Sequence, residues 1–359
     1  MTQTVHTRRM RRIAGALVAI AGLPLLSTST AAQGCEPIRF TVPISLGAEG
    51  QAYQPRHEWK ATLAYRRLIS NQWFVGTERS DNLAPGGSAP VFAIHTGIFD
   101  LAYGVSDRMT VRMSVPFSKG SFTRTWPDGQ QHSQRATGIG DISVQGDAWL
   151  LEPRSHESGN VSIGLGFKAP TGSHSIPSKF YLASGPVDFP ADQTIQPGDG
   201  GFAILTQLQA FRQVTERTSL YAFGSYMISP KKETDIVFTP APGALRWSVP
   251  DVYSVRTGVA FDVLPDHGLS ASLGARLDGI PVRDLIGGGD DNTIKRSSRI
   301  YFAEPGVAYT RGRDNFTVSV PWRVKVNRIK NLTEQQPGGT LNAGGFAKYL
   351  IFASYSHRI

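Results

Sequence analysis

The stretch at residues 99–117, F-D-L-A-Y-G-V-S-D-R-M-T-V-R-M-S-V-P-F, leaves the chain few choices. Met109, Val111, Met113, Val115 and Phe117 alternate with Thr110, Arg112, Ser114 and Pro116, while Phe99, Leu101 and Tyr103 alternate with Asp100 and Ala102. A period of two places successive side chains on opposite faces of a strand. Gly104, Val105, Ser106 and Asp107 supply the polar turn between the two runs. The result is a hairpin with one apolar face and one face carrying an arginine and an aspartate. Such a hairpin suits a soluble sandwich, where the apolar face meets a second sheet. It equally suits an outer-membrane barrel, where that face meets lipid and the charged face lines the lumen.

Recurrence favours the barrel. The two-faced pattern returns about twelve times, among others at 58–66, 138–150, 161–169, 253–263, 269–278, 301–309, 316–327 and 347–359. The facing of the runs at 202–211 and 220–228 stays open, because both of their faces carry apolar residues. Short turns near 104–107, 152–160, 212–217, 264–268 and 311–315 alternate with long polar loops near 69–90, 118–137, 170–200, 229–250, 279–298 and 328–343. Outer-membrane barrels put short turns at the periplasmic end and long loops outside. Each clean run also carries four to six apolar side chains on one face. A tilted strand of about 9–11 residues crossing lipid needs roughly five. The expected fold is all-β: a closed antiparallel transmembrane β-barrel of about twelve strands. Closure removes the sheet edges that hydrocarbon cannot solvate.

The N-terminus reads as an export signal. Arg8, Arg9, Arg11 and Arg12 precede an apolar run at 13–26, too short to span a bilayer as a helix, and small residues follow. Residues 1–32 are expected to be a cleaved signal peptide and 33–56 a segment that hangs in the periplasm or enters the lumen, with a slight preference for the periplasm. Residues 57–359 are expected to form the barrel in the cell outer membrane. Without the leader arginines the formal charge of +9 falls to about +5, which argues against a nucleic-acid partner. Cys35 is the one cysteine, so no intrachain disulfide can form. Its reading as a lipidated residue is weakened by Ala32 three positions before it. An unpaired thiol is the plainer reading.

Three stretches, Y-G-V-S-D-R-M-T-V-R-M-S-V-P-F (103–117), G-I-G-D-I-S-V-Q-G-D-A-W-L-L (138–151) and F-K-A-P-T-G-S (167–173), resemble a family of bacterial outer-membrane transporters related to the meta-pathway phenol-degradation proteins. The resemblance implies a barrel and import of small compounds, aromatic ones among them. It supplies no ligand residues. The C-terminal run, with Tyr349, Ile351, Ala353, Tyr355 and Ile359 on one face, resembles the signal read by the barrel-assembly machinery, although Ile359 stands where Phe is usual.

The polar faces nominate a pore lining: Lys60, Asp100, Arg112, Asp141, Arg256, Arg276, Glu304, Arg323 and Lys325. Lys348 falls on the same side of its run. Arg323 and Lys325, with Arg112 and Arg256, suggest a basic strip favouring anions. The competing reading is a network of interior salt bridges that fills the lumen. No cofactor, metal set or catalytic constellation is expected. The chain has no H-E-x-x-H or G-x-S-x-G. The Ser173-His174 pair and the Asp290-Asp291-Asn292 run read better as loop residues than as a hydrolase or calcium site. The function expected is an outer-membrane channel or transporter giving small aromatic or anionic solutes passive or facilitated passage. The alternatives are a plugged structural or adhesion barrel and, further off, an outer-membrane lipid hydrolase. Expected partners are outer-membrane lipid, the assembly machinery and the solute.

Overall fold

The computed structural model describes residues 53–80, 89–286, 293–339 and 342–359. The expected leader, Cys35 and the rest of the segment up to residue 52 lie outside the described residues, as do Asp290, Asp291 and Asn292. Twelve strands follow one another: β1 (Trp59–Val75), β2 (Val91–Gly104), β3 (Met109–Thr125), β4 (Gln131–Ile139, resuming as Ser143–Trp149), β5 (Gly159–Lys168), β6 (Ala203–Thr215), β7 (Thr218–Ile228), β8 (Val252–Leu264), β9 (Leu269–Ile280), β10 (Ser298–Arg311), β11 (Asp314–Ser319, resuming as Trp322–Arg328) and β12 (Gly344–Arg358). Each pairs antiparallel with the next, and β12 returns to β1 from Lys60↔Arg358 up to Phe74↔Gly344. The barrel is therefore closed, as the alternation requires.

The turns at 105–108, 150–158, 216–217, 265–268 and 312–313 share one end with the start of β1 and the close of β12. The connections at 76–90, 126–130, 169–202, 229–251, 281–297 and 329–343 share the other. Two expected loops need correction. β1 continues to Val75, and β3 and β4 stay paired through the expected loop at 118–137, as far as Thr125↔Gln131.

The reason lies in the facing. In the lower halves of the strands Leu63, Phe99, Met113, Phe117, Leu165, Val259, Leu273 and Val318 are exposed on the outer wall. Higher up, the phase inverts. Leu68, Ile94, Phe122, Ala136 and Leu350 are buried inside, while Arg67, His95, Lys119, Arg135 and Lys348 stand outside. Below the inversion the outer face suits hydrocarbon; above it the face suits water, so the long strands rise beyond the lipid. On β6 and β7, Leu208 and Leu220 face out, and Gln207, Tyr221, Phe223 and Met227 face in. That settles the two runs whose facing was open.

Lys325 is a further correction. The alternation from Phe316 to Asn327 looks unbroken in sequence, but Phe302 pairs with Arg323 and Tyr301 pairs with Lys325. Val324 is the extra residue of a β-bulge, and a one-residue slip moves every later side chain to the opposite face. Lys325 is exposed on the outer wall beside Tyr301, whereas Val326 is buried inside. β12 does the same: Leu68 pairs with Leu350 and Ser70 with Ala347, so Lys348 and Tyr349 both answer to Ile69 and both stand outside. With Cys35 replaced by serine, Lys325→Cys in lipid vesicles is expected to react with a maleimide added outside or partitioned at the lipid surface. Arg323→Cys should react far more slowly. Equal labelling would mean that the bulge is absent.

Candidate functional site

The lumen has two zones. The lower one, toward the short turns, is a polar chamber of about 180 Å³ whose wall includes Lys60, Asp100, Arg112, Gln145, Asp147 and Gln207. Alternation on β1 to β6 brings them to one face. The Arg112 guanidinium meets Asp147 at 2.6 Å. Gln145 Nε2 donates to Asp147 at 2.6 Å and to Gln207 Oε1 at 2.9 Å, crossing from β4 to β6. Ser114 Oγ donates to Asp100. Lys60 lies within electrostatic reach of Arg112, Asp100 and Asp147. Residues 53–56 cross the mouth below. Tyr53 Oη donates to the His156 carbonyl at 2.7 Å, and its ring packs edge-on against Trp149 and Phe211. Gln54 is buried and forms part of the chamber wall.

A second charged group sits on the wall of β8, β9 and β10. Arg276 Nε meets Asp278 at 2.7 Å, and Glu304 stands 3.7 Å from Arg276 and 3.8 Å from Arg256. Ser254 and Ser319 donate to Asp278 and Glu304, and both guanidinium groups lie over the Phe352 ring. Two cations thus face two anions, all buried. Asp141 belongs to a third group. Lys168 Nζ, fully buried, bonds Asp141 at 3.2 Å, Asp199 at 2.5 Å and the Gly201 carbonyl at 2.6 Å, tying the break in β4 to the root of the loop at 169–202. Arg323 donates to the Ala347 carbonyl and to Gln72, with Phe74 under its guanidinium.

The structure therefore brings Lys60, Asp100 and Arg112 together, and separately Arg256, Arg276 and Glu304. It does not assemble the expected basic strip. Lys325 is outside, and Arg112 and Arg256 stand on different walls, each beside a carboxylate.

The upper zone is the part that strand-by-strand reading missed. It is apolar and filled. Phe92 stacks on Phe122 at 4.3 Å, Trp126 meets Phe180 at 5.0 Å, and Leu68, Trp73, Ile300, Phe346 and Leu350 close round them. The long loop enters here. Ile195 is buried against Gly120 of β3, where a Cβ would stand 2.7 Å from that of Ile195, so the glycine makes room for the loop. Burying one such side chain contributes about 1.5–3 kcal/mol. Glutamines hold the rest. Gln196 Nε2 donates to the Ala191 carbonyl and Gln134 Oε1 accepts from Asp192 N–H. Burial raises the Asp192 carboxyl above its ordinary range, opposed by its bonds from Thr194 and by Arg296 and Arg124. The inverted phase above Arg67 was the sequence signal for this zone.

Of the Ser173-His174 pair, His174 turns its Nε2 to Asp235 at 2.8 Å.

No protein-family model matches the chain, and no curated protein is similar to it in sequence. Among solved structures the fold is similar to that of an outer-membrane channel from Pseudomonas putida F1, with a TM-score of 0.61 over 89% of this chain and 100% of that one at 13% identity. More distant likenesses are the β domain of the Bordetella autotransporter BrkA (TM-score 0.43, 12% identity, 85% and 100% covered) and a deltaS2S3 mutant of the TodX monoaromatic hydrocarbon channel (0.44, 10%, 85% and 91%). The first likeness is one of fold: this chain has the fold of an outer-membrane β-barrel.

Proposed function

We propose that the protein is an outer-membrane channel for small aromatic solutes carrying a polar or anionic group. The observation behind this reading is the two-zone lumen. A general porin has a water-filled polar interior. Here the outer end is lined by Phe92, Phe122, Trp126 and Phe180, and the inner end by charged and amide side chains. A ring with a polar substituent would rest its ring in the first zone and its substituent in the second. The resemblance to phenol-degradation proteins agrees with such a substrate, and the Pseudomonas putida protein of similar fold, itself an outer-membrane channel, agrees with passage. Export by the leader at 1–32 and insertion by the assembly machinery through β12 belong to the same proposal.

The filled upper zone also favours a second reading, a plugged barrel of structural or adhesive role. Flux separates the two. In vesicles holding the purified barrel, hydroxybenzoate entry is expected to exceed that of gluconate, a non-aromatic anion of equal charge, by about tenfold, the ratio that 1.4 kcal/mol of apolar preference gives. Equal rates for both anions would leave a plain pore, and entry of neither would leave the plug.

A further inference from the structure

The residues that the two bulges turn outward have no part in the lumen. We infer that they complete a docking surface for a phosphorylated lipid headgroup of the outer leaflet, spread over β10, β11, β12, β1, β2 and β3.

On those adjacent strands Arg299, Lys325, Lys348, Arg67, His95 and Lys119 all face outward. Register puts them in one band: Arg67 pairs with His95 and His95 with Lys119, Lys348 lies beside Ile69 two positions above Arg67, and Lys325 lies three positions above Trp322, which pairs with Tyr349. The aromatic residues Tyr65, Tyr301, Trp322 and Tyr349 occur at the same level or just below it, all exposed. Such rings mark the height where hydrocarbon gives way to headgroups. At that height a charged side chain costs little, and phosphates lie opposite it.

Three details point to a built surface. Both lysines owe their outward position to a bulge, without which each would point inside. Lys348 Nζ is held over the Trp322 ring at 5.0 Å, and His95 Nδ1 is fixed by Tyr65 Oη at 2.6 Å. Among the described residues no carboxylate pairs with Arg67, Lys119, Lys325 or Lys348, whereas Arg112, Lys168, Arg256 and Arg276 inside the barrel each have one. Fork-shaped guanidinium and point-charge ammonium groups in one row suit a headgroup with more than one phosphate.

The inference rests on the barrel sitting in the outer membrane and not on what crosses its lumen. The test uses the full-length barrel in detergent micelles, with diphosphoryl lipid A or the same lipid stripped of both phosphates as probes, read by native mass spectrometry. The diphosphoryl form should bind about tenfold more tightly, a modest gain for several charge-assisted contacts. The triple variant Arg67→Gln, Lys325→Gln, Lys348→Gln should lose that preference while heat-modifiability and conductance stay unchanged. Should it fold poorly, Lys119→Gln with Arg299→Gln is expected to halve the occupancy. Equal binding of the two lipids, an undiminished preference in a folded variant, or displacement of the lipid by inorganic pyrophosphate at equal concentration would each overturn the proposal.

Discussion

Excising residues 175–196, with two glycines joining His174 to Pro197, is expected to turn a nearly closed barrel into a steadily conducting one. Single-channel conductance in planar bilayers should rise by about tenfold or more, since an apolar constriction resists ions by excluding water. The excision is geometrically mild. Gly198 N–H already donates to the Ser173 carbonyl at 2.9 Å, so the two legs of the loop meet there. What leaves is the hairpin of Pro177–Leu182 and Gly185–Pro190, with Phe180 and Tyr181 against Trp126, and then Ile195 with its glutamine bracing. The Lys168 anchor with Asp141 and Asp199 stays, so the barrel should remain heat-modifiable. Ile195→Ser alone should give a smaller, flickering increase. If the excised barrel conducts no better than the parent, the wall aromatics Phe92, Phe122 and Phe346 close the lumen unaided, and the loop is a cover, not a gate.

The same region shows what the sequence could and could not disclose. Closure, antiparallel order and the two-ended sorting of turns follow from alternation and spacing, which are local properties. The lower wall, with Lys60, Asp100 and Arg112 inside and Leu63, Phe99 and Met113 outside, was legible for the same reason. Pairing partners were not. Whether Arg112 meets Asp147 or faces open water depends on which residue of β4 comes level with it. Nor were the bulges. Val324 looks like any other outward valine, and only its unmatched place between Tyr301 and Phe302 turns Lys325 out and Val326 in. The loop at 169–202 carries no alternation to announce that Ile195 lies inside the lumen. The inversion between Tyr65 and Leu68 was visible and was the one available hint that the strands outlast the bilayer.

Lys168→Met is expected to be the most damaging single substitution of the inner wall. Removing one partner of a buried ion pair costs about 3–5 kcal/mol, because the remaining charge has neither water nor a counterion. Here two carboxylates would remain, Asp141 and Asp199, brought together by the lysine that served both. Methionine keeps the unbranched apolar stem and lacks only the terminal nitrogen, so loss of packing contributes little. Urea unfolding in detergent, followed by heat-modifiability, should show the midpoint falling. The outcome that separates charge from shape is the rescue. Adding Asp141→Asn and Asp199→Asn to Lys168→Met removes both stranded anions and is expected to recover most of the loss, because a neutral group in that place costs less than an unpaired ion. Gly172 N–H now donates to Oδ1 of Asp141 and Asp199 N–H to Oδ2; the single amide oxygen of an asparagine keeps one of these bonds and its NH2 cannot accept the other, so the rescue should stop short of complete. A Lys168→Met barrel weakened by less than about 1 kcal/mol, the range of solvated pairs, would mean that water reaches the root of the loop. The break in β4 would then be a wet seam in the wall.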